Sequence, residues 1–295
     1  MLFPNNFSTR RIKTNGAEIN LVHGGSGMPL LLLHGYPQTH AIWHKVAPVL
    51  AQYYHVICPD LRGYGDSEIP ASTPDHYPYS KRAMAQDMIE VMANLGYEQF
   101  FVAGHDRGAR VVHRMALDHP HKILKACEMD ILPTRYMFNS TNQHFATGYY
   151  HWFFLIQPDG LPERMIGADP AYYLTEKLKR WAAPGMVFSA EAVEQYIRCF
   201  SQPESIHASC EDYRAAATID LQHDKDDEHE KVQSPLLVLW GTSGFVARTY
   251  NVLDVWSNYA SLVEGKALAC GHFLPEESAE DVCSELLAFF SETST

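Results

Sequence analysis

The chain lacks long hydrophobic runs. Nowhere in its 295 residues is there a stretch of about 18 apolar side chains, the length that a membrane-spanning helix requires. The opening MLFPNNFSTRRIKTNG carries no apolar signal core, so a cytoplasmic protein that does not enter membranes is expected. Positive charge is also short. Lys and Arg number 23 against 35 Asp and Glu, a formal charge of -12. That balance argues against nucleic acid or an anionic membrane as the main partner. It also repels an anionic ligand at long range, so any anion site needs its own local cations. The six cysteines (Cys58, Cys127, Cys199, Cys210, Cys270 and Cys283) form no C-x-x-C pair. Cys58, Cys127 and Cys270 lie in apolar strand-like runs, and buried free thiols in a reducing compartment are expected. Internal repeats and low-complexity segments are missing too. What is present, 46% hydrophobic and 20% charged residues, suits a packed soluble protein with one large domain or a core with an inserted subdomain.

Short apolar runs alternate with helical patterns. Pro29 to Leu33, His55 to Cys58 and Phe100 to Ala103 read as buried strands, and Lys122 to Met129, Pro235 to Trp240 and Ser261 to Ala269 as further ones. Ser80 to Leu95, Arg107 to His119 and Ser278 to Phe290 read as helices. Fully apolar strands with intervening helices predict an α/β protein with a mainly parallel sheet covered on both faces. Its active site is expected at the carboxyl ends of the strands. The alternation breaks after Asp130. From Pro133 to Lys225 the chain is aromatic-rich and helical in pattern, which predicts a helical cap at 133–225, inserted after strand 6 into a core of 1–132 and 226–295. The run DKDDEHEK, 224 to 231, reads as a solvated connector.

The stretch GHDRGAR, 104 to 110, follows one strand and opens one helix. It has the G-x-Nu-x-G form of a nucleophile elbow, with Gly104 and Gly108 where side chains would clash and Asp106 at the raised position. A carboxylate at a helix start is also an ordinary stabilising feature, so the motif needs support from elsewhere. His34-Gly35 follows the Leu-rich strand, the place for an oxyanion loop, and His272 follows the last predicted strand, where the base belongs. The strand ending in Gly241 is followed by no carboxylate until the remote Asp254. Asp130 instead ends the preceding strand, one helix plus one strand after Asp106, and is assigned as the orienting acid. The chain order is then nucleophile, acid, base.

A carboxylate nucleophile suits displacement at an sp³ carbon. Ser would leave an ether, whereas Asp106 leaves an ester that water can cleave. His272, oriented by Asp130, would activate that water, and backbone N–H groups near Tyr36 and Arg107 would hold the oxyanion formed on Asp106 itself. Arg107 and Arg110, three apart at a helix start, share a face and offer two guanidinium forks to a substrate carboxylate.

With these residues, the segments HGYPQTHAIW (34–43), DLRGYGDS (60–67), MDILPT (129–134), HWFF (151–154), CEDYRAAA (210–217) and GHF (271–273) make the chain resemble the fluoroacetate (haloacetate) dehalogenases of the α/β-hydrolase superfamily over nearly its whole length. HGxP, DLRGYGxS and GHD are shared with epoxide hydrolases; the dehalogenase-specific part is DRxxR joined to a cap His-Trp pair and a later Tyr. The resemblance implies an α/β-hydrolase fold and conversion of fluoroacetate or chloroacetate to glycolate and halide. It places the carboxylate of a small anionic 2-haloacid on Arg107 and Arg110, and the halide in a pocket of His151, Trp152 and Tyr213, each able to donate a hydrogen bond. Trp181 is a candidate for the substrate entrance. A homodimer is also implied. No metal or organic cofactor is expected, because nucleophile, base and donors are all side chains. Tyr36 stands where an apolar aromatic is common in the family, and Ala109 where a third elbow Gly is common; neither removes a reacting group.

Two alternatives share the same core. An epoxide hydrolase would use Asp106 and His272 with two cap tyrosines, and seven tyrosines lie in or beside the cap segment. The arginine pair argues against a neutral epoxide. A non-catalytic receptor would keep Asp106, Asp130 and His272 to bind a small acid.

Overall fold

The computed structural model describes residues 2–291; Met1 and residues 292–295 of the expected core segments lie outside the described residues. Among the described residues, eight strands form one sheet: β1 (Phe7–Lys13), β2 (Glu18–Gly24), β3 (Pro29–Leu33), β4 (His55–Pro59), β5 (Phe100–His105), β6 (Ile123–Met129), β7 (Leu236–Gly241) and β8 (Val263–Leu268). Their spatial order is β1-β2-β4-β3-β5-β6-β7-β8. Strands β3 to β8 run parallel, and β2 pairs antiparallel with both β1 and β4.

The sheet is buried because its sequence is apolar on both faces. Leu31, Leu33, Ile57 and Val102 enter one hydrophobic core, while their neighbours Leu30, Leu32, Val56 and Ala103 enter the other, the alternation that a pleated strand imposes. The six strands expected from apolar runs are β3 to β8. The β1–β2 hairpin escapes that reading because β1, FSTRRIK, is an edge strand with most of its side chains in solvent. All six cysteines are buried free thiols.

Helices α1 (Lys81–Asn94) and α2 (Arg107–Asp118) pack together beside the sheet. The chain between β6 and β7 forms eight successive helices, of which α3 (Tyr150–Phe154), α4 (Pro170–Trp181) and α5 (Pro203–Ala217) carry residues discussed below. Helix α6 (Ala279–Ser291) closes the opposite face with Val282, Leu286 and Phe289. No helix among the described residues is long and apolar enough to cross a membrane. The acidic run 224–231 is more than a solvated connector. Its first residues finish a helix, Ile219–Asp226, and Asp227 pairs with Arg82 at 2.9 Å and Arg114 at 2.8 Å, which fastens the run to α1 and α2.

Candidate active site

Asp106 leaves β5 and starts α2 with φ 50° and ψ -116°. A residue with a Cβ is strained there, at a cost of order 1–3 kcal/mol. Glycines make the turn possible. A Cβ on Gly108 would stand 2.3 Å from the His34 carbonyl oxygen, and one on Gly35 would stand 2.4 Å from Asp106 Cβ. The raised carboxylate accepts the Tyr36 N–H on Oδ1 at 2.9 Å. Its Oδ2 lies 3.7 Å from His272 Nε2. The Arg107 amide occupies the first position of α2, where helix N–H groups have no intrahelical acceptor.

Asp130 follows β6 and His272 follows β8. His272 Nδ1 and Asp130 Oδ2 are hydrogen-bonded at 2.6 Å, and Asp130 Oδ1 accepts the Gly241 N–H at 3.1 Å. Burial disfavours charge on His272, but the Asp130 hydrogen bond and charge, with Asp106 behind them, hold its pKa above the usual imidazole value. Asp106 mirrors this. Burial pushes it up, yet His272, His105, Arg107 and Arg110 together hold it below the usual carboxylate range. The free site therefore favours an ionised Asp106 facing a protonated His272. Esterifying Asp106 would remove one of the charges that keeps the proton on His272, and so would help it become a base.

The two arginines are less open than their spacing suggests. Arg107 donates from Nε (3.0 Å) and Nη2 (2.6 Å) to the two carboxylate oxygens of Asp212, and from Nη2 to the Asp212 carbonyl at 2.9 Å. The Tyr213 ring lies 4.2 Å from its Cζ. Arg110 Nη1 donates to Leu132 O and Thr134 Oγ1, both at 2.9 Å, and Cζ is 4.8 Å from the Trp152 ring. A buried guanidinium must be paired to stay charged, which is why neither fork is wholly free. Arg107 Nη1 and Arg110 Nε remain buried without a protein partner among the described residues. Asp212 also accepts from Tyr64 Oη at 2.7 Å and pairs with Lys81. Burial would raise its carboxyl pKa, but Arg107 and Lys81 hold it well below the usual range.

His151 and Trp152 on α3 and Tyr213 on α5 are all buried. The His151 and Tyr213 rings lie 5.6 Å apart, and those of Trp152 and Tyr213 6.4 Å. His151 Nδ1 and Tyr213 Oη have no protein partner among the described residues. Burial, with Lys177, His272 and both arginines nearby, keeps His151 neutral. A cavity of about 250 Å³ reaches Asp106 and His272, with Tyr149, His151, Lys177 and Trp181 also on its wall. Arg107, Arg110, Trp152 and Tyr213 are not on that wall; they form a buried cluster beside Asp106. Trp181 is half-buried, with ring centres 4.6 Å from His151 and 5.4 Å from His272, and its carbonyl accepts the His272 N–H at 2.9 Å.

Two anchoring carboxylates were not legible beforehand. Asp212 stands in CEDYRAAA beside Tyr213, but its partners are more than 100 positions away. Glu277 accepts the N–H groups of Gly271, Phe273 and Ala183, each at 2.8 Å. It thereby ties the His272 loop to the segment that follows α4. Tyr149, next to the HWFF segment, was also missed.

Fold and site define the class, an α/β hydrolase. The family model for the α/β hydrolase fold matches residues 28–279. The chain is 44% identical to a fluoroacetate dehalogenase from Burkholderia sp, over 97% of this chain and 94% of that protein. It is 34% identical to a soluble epoxide hydrolase from Corynebacterium sp. (strain C12), over 94% and 95%. A solved structure from Nostoc sp PCC 7120, assigned to the α/β hydrolases, superposes with a TM-score of 0.97 at 57% identity and covers 99% of this chain and 100% of its own. The chain belongs to the fluoroacetate dehalogenase family of the α/β hydrolases.

Proposed function

We propose that this protein is a hydrolase acting on carbon–halide bonds, and that it converts fluoroacetate and chloroacetate to glycolate and halide. The observation that carries the reading is a set of buried polar atoms without protein partners around the Asp106 carboxylate: Arg107 Nη1, Arg110 Nε, His151 Nδ1, Tyr213 Oη and His272 Nε2. Buried polar groups are normally satisfied, so five in one place point to a polar ligand. Arg107 and Arg110 each give one donor to the substrate carboxylate, which aims the α-carbon at Asp106. An Asp106 oxygen displaces the halide, which departs toward His151, Trp152 and Tyr213. His272 then takes a proton from water, and the water attacks the Asp106 carbonyl carbon. The negative charge passes to an Asp106 oxygen held by the Tyr36 and Arg107 N–H groups. Collapse restores Asp106 and releases glycolate.

In this proposal residues 133–225 act as a cap over the strand ends, and Trp181 stands at the substrate entrance. A cytoplasmic homodimer completes it, supported by the family resemblance and, for the compartment, by the free thiols.

Halide release from fluoroacetate and chloroacetate, measured in parallel with glycolate, tests the reading. Equimolar fluoride and glycolate are expected. Chloride without fluoride would keep the Asp106 chemistry but remove the proposed strength of the halide pocket. Release of neither would overturn the reading; diol formation from an epoxide would then favour the rival suggested by the epoxide hydrolase relative, with Tyr149 and Tyr213 as its phenol donors. The halide pocket has its own check. Tyr213→Phe removes one donor to an anion, worth about 1.5–3 kcal/mol. It is expected to slow fluoroacetate turnover roughly 10- to 100-fold, and chloroacetate turnover less, because chloride is the weaker acceptor and the better leaving group. Equal effects on both substrates would place Tyr213 outside the halide pocket.

A further inference from the structure

The cavity that reaches Asp106 is cationic, although the chain carries a formal charge of -12. Lys177, Arg180 and Arg248 line it, against one carboxylate, that of Asp106. Lys177 stands out. It lies on α4, one turn before Trp181, and is 2% exposed. Its Nζ donates to Tyr150 Oη at 2.7 Å and stands over the rings of Tyr150, Tyr173 and Trp181 at 3.9, 5.1 and 5.2 Å. Among the described residues it has no acidic partner. Aromatic faces offset part of the cost of burying an ammonium, but not the missing counter-charge. Burial, with Arg180 nearby, brings the amine down to about 7. An anion entering the cavity would supply that charge. Arg248 is exposed on the same wall and also lacks an acidic partner among the described residues, whereas Arg180 is engaged by Glu176 at 3.1 Å. None of these three takes part in the chemistry derived above.

We propose that Lys177 and Arg248 form an outer anion subsite that draws the substrate carboxylate from solvent and passes it inward to Arg107 and Arg110. The inference rests on the haloacetate reading, since it requires an anionic substrate. It answers the electrostatic problem posed by the composition. Cations lining the cavity, with Lys177 buried in its wall, focus an attractive field there, while salt screens the distant acidic surface over about 10 Å.

Acetate serves as a probe that cannot react. Its affinity is measured by titration calorimetry, and fluoroacetate kinetics are measured at low and at moderate salt, for wild type, Lys177→Met, Lys177→Arg and Arg248→Gln. Lys177→Met is expected to weaken acetate and raise KM about tenfold, the size of one lost charge contact, with kcat falling by less than KM rises. Lys177→Arg is expected to stay within about threefold of wild type, because it keeps the charge. In Lys177→Met and Arg248→Gln the decline of kcat/KM with salt becomes shallower. Wild-type acetate affinity, KM and salt dependence in both of these variants would overturn the subsite. If Lys177→Met does not fold, Tyr150→Phe and Arg248→Gln decide, and unchanged acetate affinity in both overturns it. Should wild type release no halide while Lys177→Met still loses acetate, the subsite stands and the haloacetate reading fails. Halide release by wild type, with variants that match it, means the reverse.

Discussion

Replacing His272 with Asn is expected to stop turnover after one equivalent of halide. The first step needs the Asp106 carboxylate, which keeps the charges of Arg107 and Arg110 beside it after His272 is replaced; the second needs a base, which Asn cannot provide. Steady-state turnover should fall by about 10⁴-fold or more. Mass spectrometry of the peptide carrying Asp106 should then show one added carboxymethyl group. Asp106→Ala, by contrast, should release no halide above the uncatalysed background. The contrast is diagnostic because the two residues face each other at 3.7 Å, yet act on different bonds. Continued turnover by the His272 variant would transfer the base role elsewhere. Halide release without an ester would replace covalent catalysis by direct attack of water.

Asp212→Asn is expected to destabilise the fold by about 3–5 kcal/mol, the cost of leaving a buried cation without its partner. Arg107 loses its acidic partner, and Lys81 loses one of two, keeping Asp220 at 3.6 Å, at a buried site. Urea unfolding with a lowered midpoint and unchanged slope would show it. The pH dependence supplies a second readout. The Asp212 carboxyl is held below its usual value in the folded state. Its stabilisation is therefore fully present above the unfolded value of about 4 and is lost as the pH falls toward the folded value. The variant should lose that part of the acid-side decline in stability. Haloacetate KM should rise as well, because Arg107 is no longer fixed beside Asp106. A variant as stable as wild type would mean that the Arg107–Asp212–Lys81 group contributes nothing net to folding.

The sequence by itself determined the parallel part of the sheet, β3 to β8, and the turn that raises Asp106. Unbroken apolar runs such as Pro29 to Leu33 can be buried only between two layers, and the glycines of GHDRGAR leave room for a tight turn with Asp106 at its apex. The distances that make His272 a partner of Asp106 and Asp130 required the fold, since the three are brought together by different strand ends. The edge strand β1 was invisible because its exposed side chains carry no hydrophobic pattern. Tertiary structure also decided what the arginines are free to do. Their charge was legible, but pairing of Arg107 with Asp212, and of Arg110 with Leu132 and Thr134, is fixed by packing across long separations in the chain. The same holds for Lys177. Nothing in its local sequence marks it, and only the convergence of Tyr150, Tyr173 and Trp181 around its ammonium, with no acidic partner among the described residues, makes it a group that an anion would complete. Covalent order reveals which residue types lie at strand ends and tight turns; the burial and pairing that tune them arise when distant segments share one low-dielectric space.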